Sequence, residues 1–408
     1  MITVEAARKI ILAEIQIMGR EKCLLSQALG RTLAEDIISP LNHPPWDTSA
    51  MDGYAVCKAD ILEASRSEPQ KLTVVEHIPA GRLPEKKLSR GEVSKIMTGA
   101  PLPEGADAVV RVEETEEAGE IVSIFTVPDE GDFVRRKGGA VCVGDTILKR
   151  GLPIRPAEIA MMASVGKSVV SVFQQPRVAI LSTGDELADL DEARGPEKIL
   201  NSNGYGLAAQ VADAGGVPIN LGIAKDTRAD LMEKLKEGLR ADIVLASGGV
   251  SMGDYDFVIE VLKKLGAEMK FWKVSMKPGR PLAFGVIFGR PVFGLPGNPV
   301  SSMVSFEQFV RPAILLANGR NKITRPTMKA LLKEDIRKRP GRRLFLRAVV
   351  SSRGEEVSVR LAGDQDSAVL MSLVKANAFM ILPPEGDLVQ SGTQVTVQLL
   401  SDICSDGS

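Results

Sequence analysis

Residues 243–256 read IVLASGGVSMGDYD. Ile243, Val244, Leu245 and Ala246 form the short apolar run expected of a strand buried on both faces. The run breaks at Gly248-Gly249, and Ser251, Asp254 and Asp256 follow at once. Paired glycines at a strand end expose backbone N–H groups, with no Cβ to hold an anion away. Residues 255–265 carry apolar side chains at helical spacing, so the loop also meets a helix N-terminus, whose unpaired amides favour negative charge. A phosphate suits that geometry, and the acids beside it suit a hard cation such as magnesium. An ordinary strand-to-helix turn with capping aspartates gives the same pattern on this stretch alone.

Outward from it, residues 176–320 alternate between short apolar runs and amphipathic segments. The pattern predicts strands at 178–182, 219–224, 243–247, 269–274, 283–287 and 292–295, and helices at 204–214, 228–239, 257–265 and 300–316. Such alternation predicts a doubly wound, mostly parallel sheet with its ligands at the carboxyl ends of the strands. Three of those ends are unusual: Ser182-Thr183-Gly184-Asp185-Glu186, Ser247-Gly248-Gly249-Val250-Ser251 and Leu295-Pro296-Gly297-Asn298-Pro299. Neither GxGxxG nor GxxxxGK[ST] is present, which argues against the usual dinucleotide fingerprint and the P-loop. Glu186, Asp226, Asp254 and Asp256 are expected around one crevice, with Lys273, Lys277 and Arg280 as a basic cluster at a neighbouring strand end. Carboxylates and cations together suit a phosphorylated ligand bridged by a metal ion. Helix caps and a solvated lysine face are the competing account, and three glycine-rich ends in one sheet weigh against it.

The flanks differ in character. Val4, Ala7, Ile11, Ile15 and Met18 predict an amphipathic helix with Thr3 as its N-cap, followed by a short helix at 24–29. Residues 44–135 show strand signals at 72–76, 93–97, 108–112 and 121–127 and read as a small β domain. Within it Asp52-Gly53 reads as a hairpin turn needing positive φ. Residues 136–172 are mixed and are expected to rejoin 1–43 as one discontinuous domain, leaving 173–322 as the α/β domain. The short strands of 323–408 predict a C-terminal β-barrel or sandwich.

Composition narrows the function classes. With 51 basic and 52 acidic residues, no global field draws the chain to nucleic acid or a membrane. Aromatics at 4% are too few for base-stacking platforms. No apolar run approaches about 18 residues and no signal-peptide pattern appears, so a cytoplasmic protein is expected. The four cysteines form no CxxC, which argues against a disulfide framework or a zinc site. With two histidines, acid–base work would fall to Asp, Glu and Lys.

SAMDGYAV (49–56), MTGAPLPEGADAVV (97–110), STGDEL (182–187), SGGVSMGDYD (247–256), KPGRP (277–281) and FGLPGNPVSS (293–302) together resemble the molybdopterin molybdotransferase family, the MoeA type that includes the E-domain of gephyrin. The motifs stand in the family's order over nearly the whole chain. The resemblance implies a four-domain fold with a molybdopterin-binding α/β domain and a reaction that inserts molybdate into adenylylated molybdopterin and releases AMP with the help of Mg2+. It implies functional roles for Asp52 and Thr98, and a metal and pyrophosphate site at Glu186, Asp226 and Asp256. Ser182, Thr183, Gly184, Ser247, Gly248, Gly249 and Ser251 are the candidate substrate contacts of the first two glycine-rich ends. Lys273 and Lys277 match lysines associated with the oxyanion, Pro296, Gly297 and Pro299 shape the loop beside it, and Arg347 and Ser367 match an Arg and a Ser near the molybdate. A homodimer with a shared active site and an upstream molybdopterin adenylyltransferase are further implications.

One departure stands out. Where the family reads RRxGED, this chain has Arg135-Arg136-Lys137-Gly138-Gly139-Ala140, and Asp145 is the nearest spare acid. Two rival readings are a gephyrin-type scaffold and a molybdopterin adenylyltransferase. Retention of Asp52, Glu186, Asp226 and Asp256 argues against the first, and the extra domains at 1–172 and 323–408 argue against the second.

Overall fold

The computed structural model describes residues 1–192, 195–249 and 257–405. Helix α1 (Val4–Ala13) starts where the Thr3 hydroxyl accepts the Ala6 amide at 3.2 Å. Its buried face, Val4, Ala7 and Ile11, packs into the core of the α/β sheet. Strand β1 (Arg20–Leu24) pairs antiparallel with the later strand Val169–Phe173. The helix expected at 24–29 is a single 3-10 turn, Leu25–Gln27, because the Leu25 amide is drawn to Ser168 O at 2.9 Å.

The small β domain comprises β2 (Gly53–Val56), β3 (Gln70–Ile78), β4 (Glu92–Ile96), β5 (Ala108–Arg111), β6 (Thr115–Ala118) and β7 (Ile121–Ile124). They form one open sheet in the order β5-β2-β4-β3-β7-β6. Asp52-Gly53 is not a positive-φ hairpin turn. Gly53 opens β2 between Ile96 and Arg111, and a Cβ there would stand 1.9 Å from Val110 O. Glycine is needed for strand approach rather than for φ. Helix α2 (Pro156–Ser164) and β8 (Val169–Phe173) complete the piece that pairs with β1.

The α/β domain runs β9 (Arg177–Thr183), α3 (Ser202–Asp213), β10 (Val217–Ala224), α4 (Arg228–Gly238), β11 (Ile243–Ser247), α5 (Phe257–Lys264), β12 (Glu268–Trp272), β13 (Met276–Lys277), β14 (Ala283–Ile287) and β15 (Arg290–Leu295). Its sheet is ordered β10-β9-β11-β15-β14-β12. Pairings from β10 to β15 are parallel, and the last two are antiparallel. The reversal follows from the Phe288-Gly289 turn, with φ of 49° and 75°, since a two-residue connection joins only antiparallel strands. Alternation along the strands separates two cores. Val178, Ile180, Ile243, Leu245 and Phe293 face α1, α3 and the helices after β15, whereas Ala179, Leu181, Val244, Ala246 and Val292 face α4 and α5.

The helix expected at 300–316 is broken into α6 (Pro299–Ser305), a π turn (Phe306–Val310) and α7 (Arg311–Ala317). Pro312 has no N–H for the Gln308 carbonyl, and its ring would crowd that oxygen in a regular helix. The Arg8 Nε donates to this carbonyl at 3.3 Å instead, tying α1 to the α/β domain.

The C-terminal strands are β16 (Thr327–Leu332), β17 (Arg343–Arg353), β18 (Glu356–Leu361), β19 (Ala378–Leu382) and β20 (Gln394–Leu399), with a short helix α8 (Met371–Val374) before β19. They close on themselves in the ring β17-β18-β16-β20-β19-β17, a five-stranded barrel. Strand β13 of the α/β domain pairs parallel with the start of β17, Met276 against Arg343 and Lys277 against Leu344. Among the described residues no helix is long and apolar enough to cross a membrane.

Candidate active site

The parallel register sets Ser182 of β9 level with Ser247 of β11, and Ser247 level with Leu295 of β15. The three glycine-rich ends therefore open side by side onto one cleft of about 890 Å³. Gly248 has φ 97° and a Cβ there would lie 2.6 Å from Thr183 O; at Gly249, φ 61°, it would lie 2.7 Å from Val258 Cγ2. Both positions demand glycine, and the backbone is left bare toward the cleft. Asn201 caps α3, its Oδ1 accepting from Gly204 N at 3.0 Å and from Ser182 Oγ at 2.8 Å. Asn203 Nδ2 donates to Ser247 Oγ at 2.9 Å and Gly297 O at 2.7 Å, clamping the ends of β11 and β15 together. Thr183 Oγ1, Asn201 Nδ2 and Asn203 Oδ1 are buried and have no hydrogen-bond partner among the described residues. Buried polar atoms are normally paired, so three orphans beside one cleft are what a bound polar ligand would satisfy.

Glu186 and Asp226 line the same cleft. The loops that carry them are cross-tied: Asp185 N donates to Asp226 Oδ2 at 3.2 Å and Asp226 N donates to Asp185 Oδ1 at 3.1 Å. A Cβ on Gly184, φ 146°, would fall 2.5 Å from Glu186 Oε1, so glycine makes room for that carboxylate. Neither carboxylate has an ion-pair partner among the described residues. Two unpaired carboxylates in a polar cleft fit Mg2+, which uses one or two of them and takes further oxygens from substrate phosphates. Among the described residues no group of three or more His, Cys, Asp or Glu is assembled. Asp256, the third expected ligand, and Ser251 lie outside the described residues, as does Asp254.

The opposite flank of the sheet supplies cations. Lys277 and Arg280 line the cleft from the β13 turn, and Ser367 and Arg342 line it from the barrel. Asn298 Nδ2 donates to Ser367 Oγ at 2.8 Å and Val300 N to Ser367 O at 3.1 Å, docking the barrel loop on the Pro296–Pro299 turn. Arg347 is 1% exposed and does not reach the cleft surface. Its guanidinium donates to Ser372 Oγ at 3.0 Å and to the carbonyls of Asp364 at 3.2 Å and Asp366 at 2.9 Å, which fixes the loop carrying Ser367. Burial lowers its pKa. Lys273 also lies off the described lining; its Nζ sits 3.8 Å from the centre of the Trp272 ring.

Asp52 and Thr98 are brought together, though not into this cleft. Thr98 donates to Asp52 Oδ1 twice, from its amide at 2.7 Å and its hydroxyl at 2.8 Å. These bonds hold the Asp52 carboxyl below the usual carboxylate range. Asp145 is committed locally, accepting the Cys142 amide at 2.8 Å. Asp47 accepts Arg136 Nη1 at 2.8 Å and Lys137 N at 2.7 Å, anchoring the segment that ends in Gly139-Ala140.

Three family models match along the chain: the MoeA N-terminal region (domain I and II) over residues 2–166, a probable molybdopterin binding domain over 179–315, and the MoeA C-terminal region (domain IV) over 329–400. The molybdopterin molybdenumtransferase of Nostoc sp. strain PCC 7120 is 39% identical over 91% of this chain and 86% of its own. That of Haemophilus influenzae is 34% identical over 98% of both chains. The chain belongs to the MoeA family. A solved MoeA structure from Pyrococcus horikoshii OT3 covers 98% of this chain at a TM-score of 0.85 and 30% identity. Membership of the MoeA family makes the protein a transferase of molybdenum cofactor biosynthesis that acts through molybdenum insertion.

For this MoeA-family chain, motif reading named the glycine-rich ends, Glu186 and Asp226, which the structure places along one cleft. It passed over Asn201 and Asn203, which cap α3 and clamp the strand ends together. Asn201 and Asn203 carried a usable signal, an Asn-Ser-Asn run ahead of a predicted helix. Asn298 meets the barrel through its hydrogen bond to Ser367, a contact between domains that no local pattern encodes.

Proposed function

We propose that the cleft binds adenylylated molybdopterin and molybdate, and that insertion of the metal is coupled to Mg2+-dependent release of AMP. The observation that carries this reading is the set of orphaned buried atoms, Thr183 Oγ1 and Asn203 Oδ1, between unpaired carboxylates and unpaired cations in one cleft. The bare backbone at Gly248-Gly249, with Thr183 and Asn203, would hold phosphate oxygens. Glu186 and Asp226, with Asp256, would hold Mg2+, whose charge lowers the barrier to cleaving the phosphoanhydride. Lys277 and Ser367 would receive the molybdate. Charge neutralisation and positioning do the work, so a chain with two histidines lacks nothing the chemistry needs. A molybdopterin adenylyltransferase would supply the substrate, and Asp52 and Thr98 would reach the cleft from a second copy of the chain.

Incubation of the full chain with adenylylated molybdopterin and molybdate, following AMP, tests the reading. Glu186→Gln or Asp226→Asn should still bind the ligand but release AMP at least about tenfold more slowly, about 1.4 kcal/mol in the barrier. Wild-type turnover in both variants would overturn it.

A further inference from the structure

We propose that Asp185 is a positioning residue: its carboxylate anchors the Asp226 loop and so sets where the Asp226 carboxylate stands relative to Glu186. The proposal rests on the functional reading above, in which Glu186 and Asp226 hold a divalent cation, and adds the residue that fixes their spacing.

Backbone pairing of β9 with β10 ends at Thr183 against Ala224, and Gly184 N reaches Ala224 O at 3.4 Å. Past that point the ladder no longer ties the two strands together. Leu187 N donates to Gly184 O at 3.1 Å, closing a turn over residues 184–187 with Asp185 and Glu186 at its central positions. Both central carbonyls are engaged, Asp185 O by Lys198 Nζ and Glu186 O by Ile199 N at 2.8 Å. The two central side chains then part. Glu186 folds back over Gly184 and lines the cleft. Asp185 turns to the neighbouring loop, where its Oδ1 accepts Asp226 N at 3.1 Å.

That bond restores the tie between β9 and β10 beyond the end of their ladder. On its other side the Asp226 loop is held by α4: Asp230 Oδ2 accepts Lys225 N at 2.7 Å, and Thr227 Oγ1 accepts Asp230 N at 3.3 Å. The exchange with Asp185 is reciprocal, since Asp185 N donates to Asp226 Oδ2 at 3.2 Å and orients that carboxylate. Gly184, Glu186 and Asp226 line the cleft, whereas Asp185 does not. Asp185 therefore acts through Asp226. Thr183, two residues earlier, is 7% exposed and lines the cleft with an Oγ1 that has no partner among the described residues. This buried orphan marks the same end of the cleft as a ligand site without reference to the acids.

Mg2+ demands near-octahedral geometry at short oxygen distances, so a carboxylate that drifts forfeits affinity. Groups that hydrogen-bond a metal-binding side chain from behind are typically worth about 10–100-fold in metal affinity. An anchor needs only an acceptor in the right place, whereas a residue that attracts the cation directly needs its charge. That difference makes the proposal testable.

The metal-free full-length protein is titrated with Mn2+ alone, which suits the same carboxylate and water ligands, and free Mn2+ is followed by electron paramagnetic resonance. Asp185→Ala should raise the Kd for Mn2+ at least about tenfold. Asp185→Asn keeps the acceptor without the charge and should recover most of the affinity. Asp185→Glu keeps the charge but moves it one methylene away, and should not. Wild-type affinity in Asp185→Ala overturns the proposal, even if its thermal unfolding shows lost stability. Asp185→Asn binding as weakly as Asp185→Ala overturns it too. Should Asp185→Ala fail to fold, the other pair decides: Asp185→Asn binding no tighter than Asp185→Glu refutes the anchor. Glu186→Gln and Asp226→Asn are titrated alongside. If both bind Mn2+ as wild type, the cation reading of the cleft falls and the anchor with it; if both weaken and Asp185→Ala does not, only the anchor falls.

Discussion

Asp52 shows how one side chain's environment sets its chemistry. Two donors from Thr98 converge on a single carboxylate oxygen and favour its charged form. Thr98→Ala removes the hydroxyl and leaves the amide, so the Asp52 pKa rises toward its ordinary value. If Asp52 must be ionised for turnover, the acid limb of the AMP-release profile moves to higher pH in Thr98→Ala. A pH–rate profile below about pH 6 checks this, and a limb at the wild-type position would exclude Asp52 from the ionisations that govern turnover. The pairing of Asp52 with Thr98 across 46 residues was legible only through the family motifs. Arg347 marks the limit of that legibility. Its motif position was readable, but a residue letter does not say which way a guanidinium points, and here it points at its own loop.

At the scale of elements, the sequence spoke most clearly where periodicity is enforced by burial. The strands of the α/β sheet are buried on both faces, so apolar runs and βαβ spacing revealed β9, β11 and β15 and their glycine-rich ends. What escaped depends on a partner elsewhere in the chain. The π turn before Pro312 survives because Arg8, 300 residues earlier, bonds the carbonyl that proline leaves open. Gly53 is required by a carbonyl on a neighbouring strand, not by its own turn. The strand ends themselves are intolerant of change. Gly248→Ala would place a Cβ 2.6 Å from the Thr183 carbonyl at φ 97°, and backbone does not yield as a flexible side chain does. The substitution should lower stability by about 1–3 kcal/mol and weaken AMP binding. Thermal unfolding and an AMP titration measure the two effects, and an unchanged melting temperature would count against the strain.

Across the whole molecule, two sets of expected site residues stand apart. Glu186, Asp226, Lys277 and Ser367 share the cleft, whereas Asp52 and Thr98 stand together outside it. A two-fold dimer in which each β domain serves the partner's cleft would reunite them, an isologous and self-limiting arrangement. Mixing inactive Asp52→Ala with inactive Asp226→Ala protein tests this. Mixed dimers hold one cleft with both acids intact, so AMP release should recover to a fraction of wild type. No recovery, with subunit exchange verified, would show that each site is built within one chain. The barrel bears on the same cleft in another way. A closed ring of five strands has neither a first nor a last member, so fraying has no place to begin and the ring opens as a unit. Arg342 immediately precedes one of those strands, and Ser367 hangs from a loop that an arginine of the same strand secures. One wall of the cleft thereby inherits the cooperativity of the barrel, and its charges keep their spacing for as long as the ring stays shut.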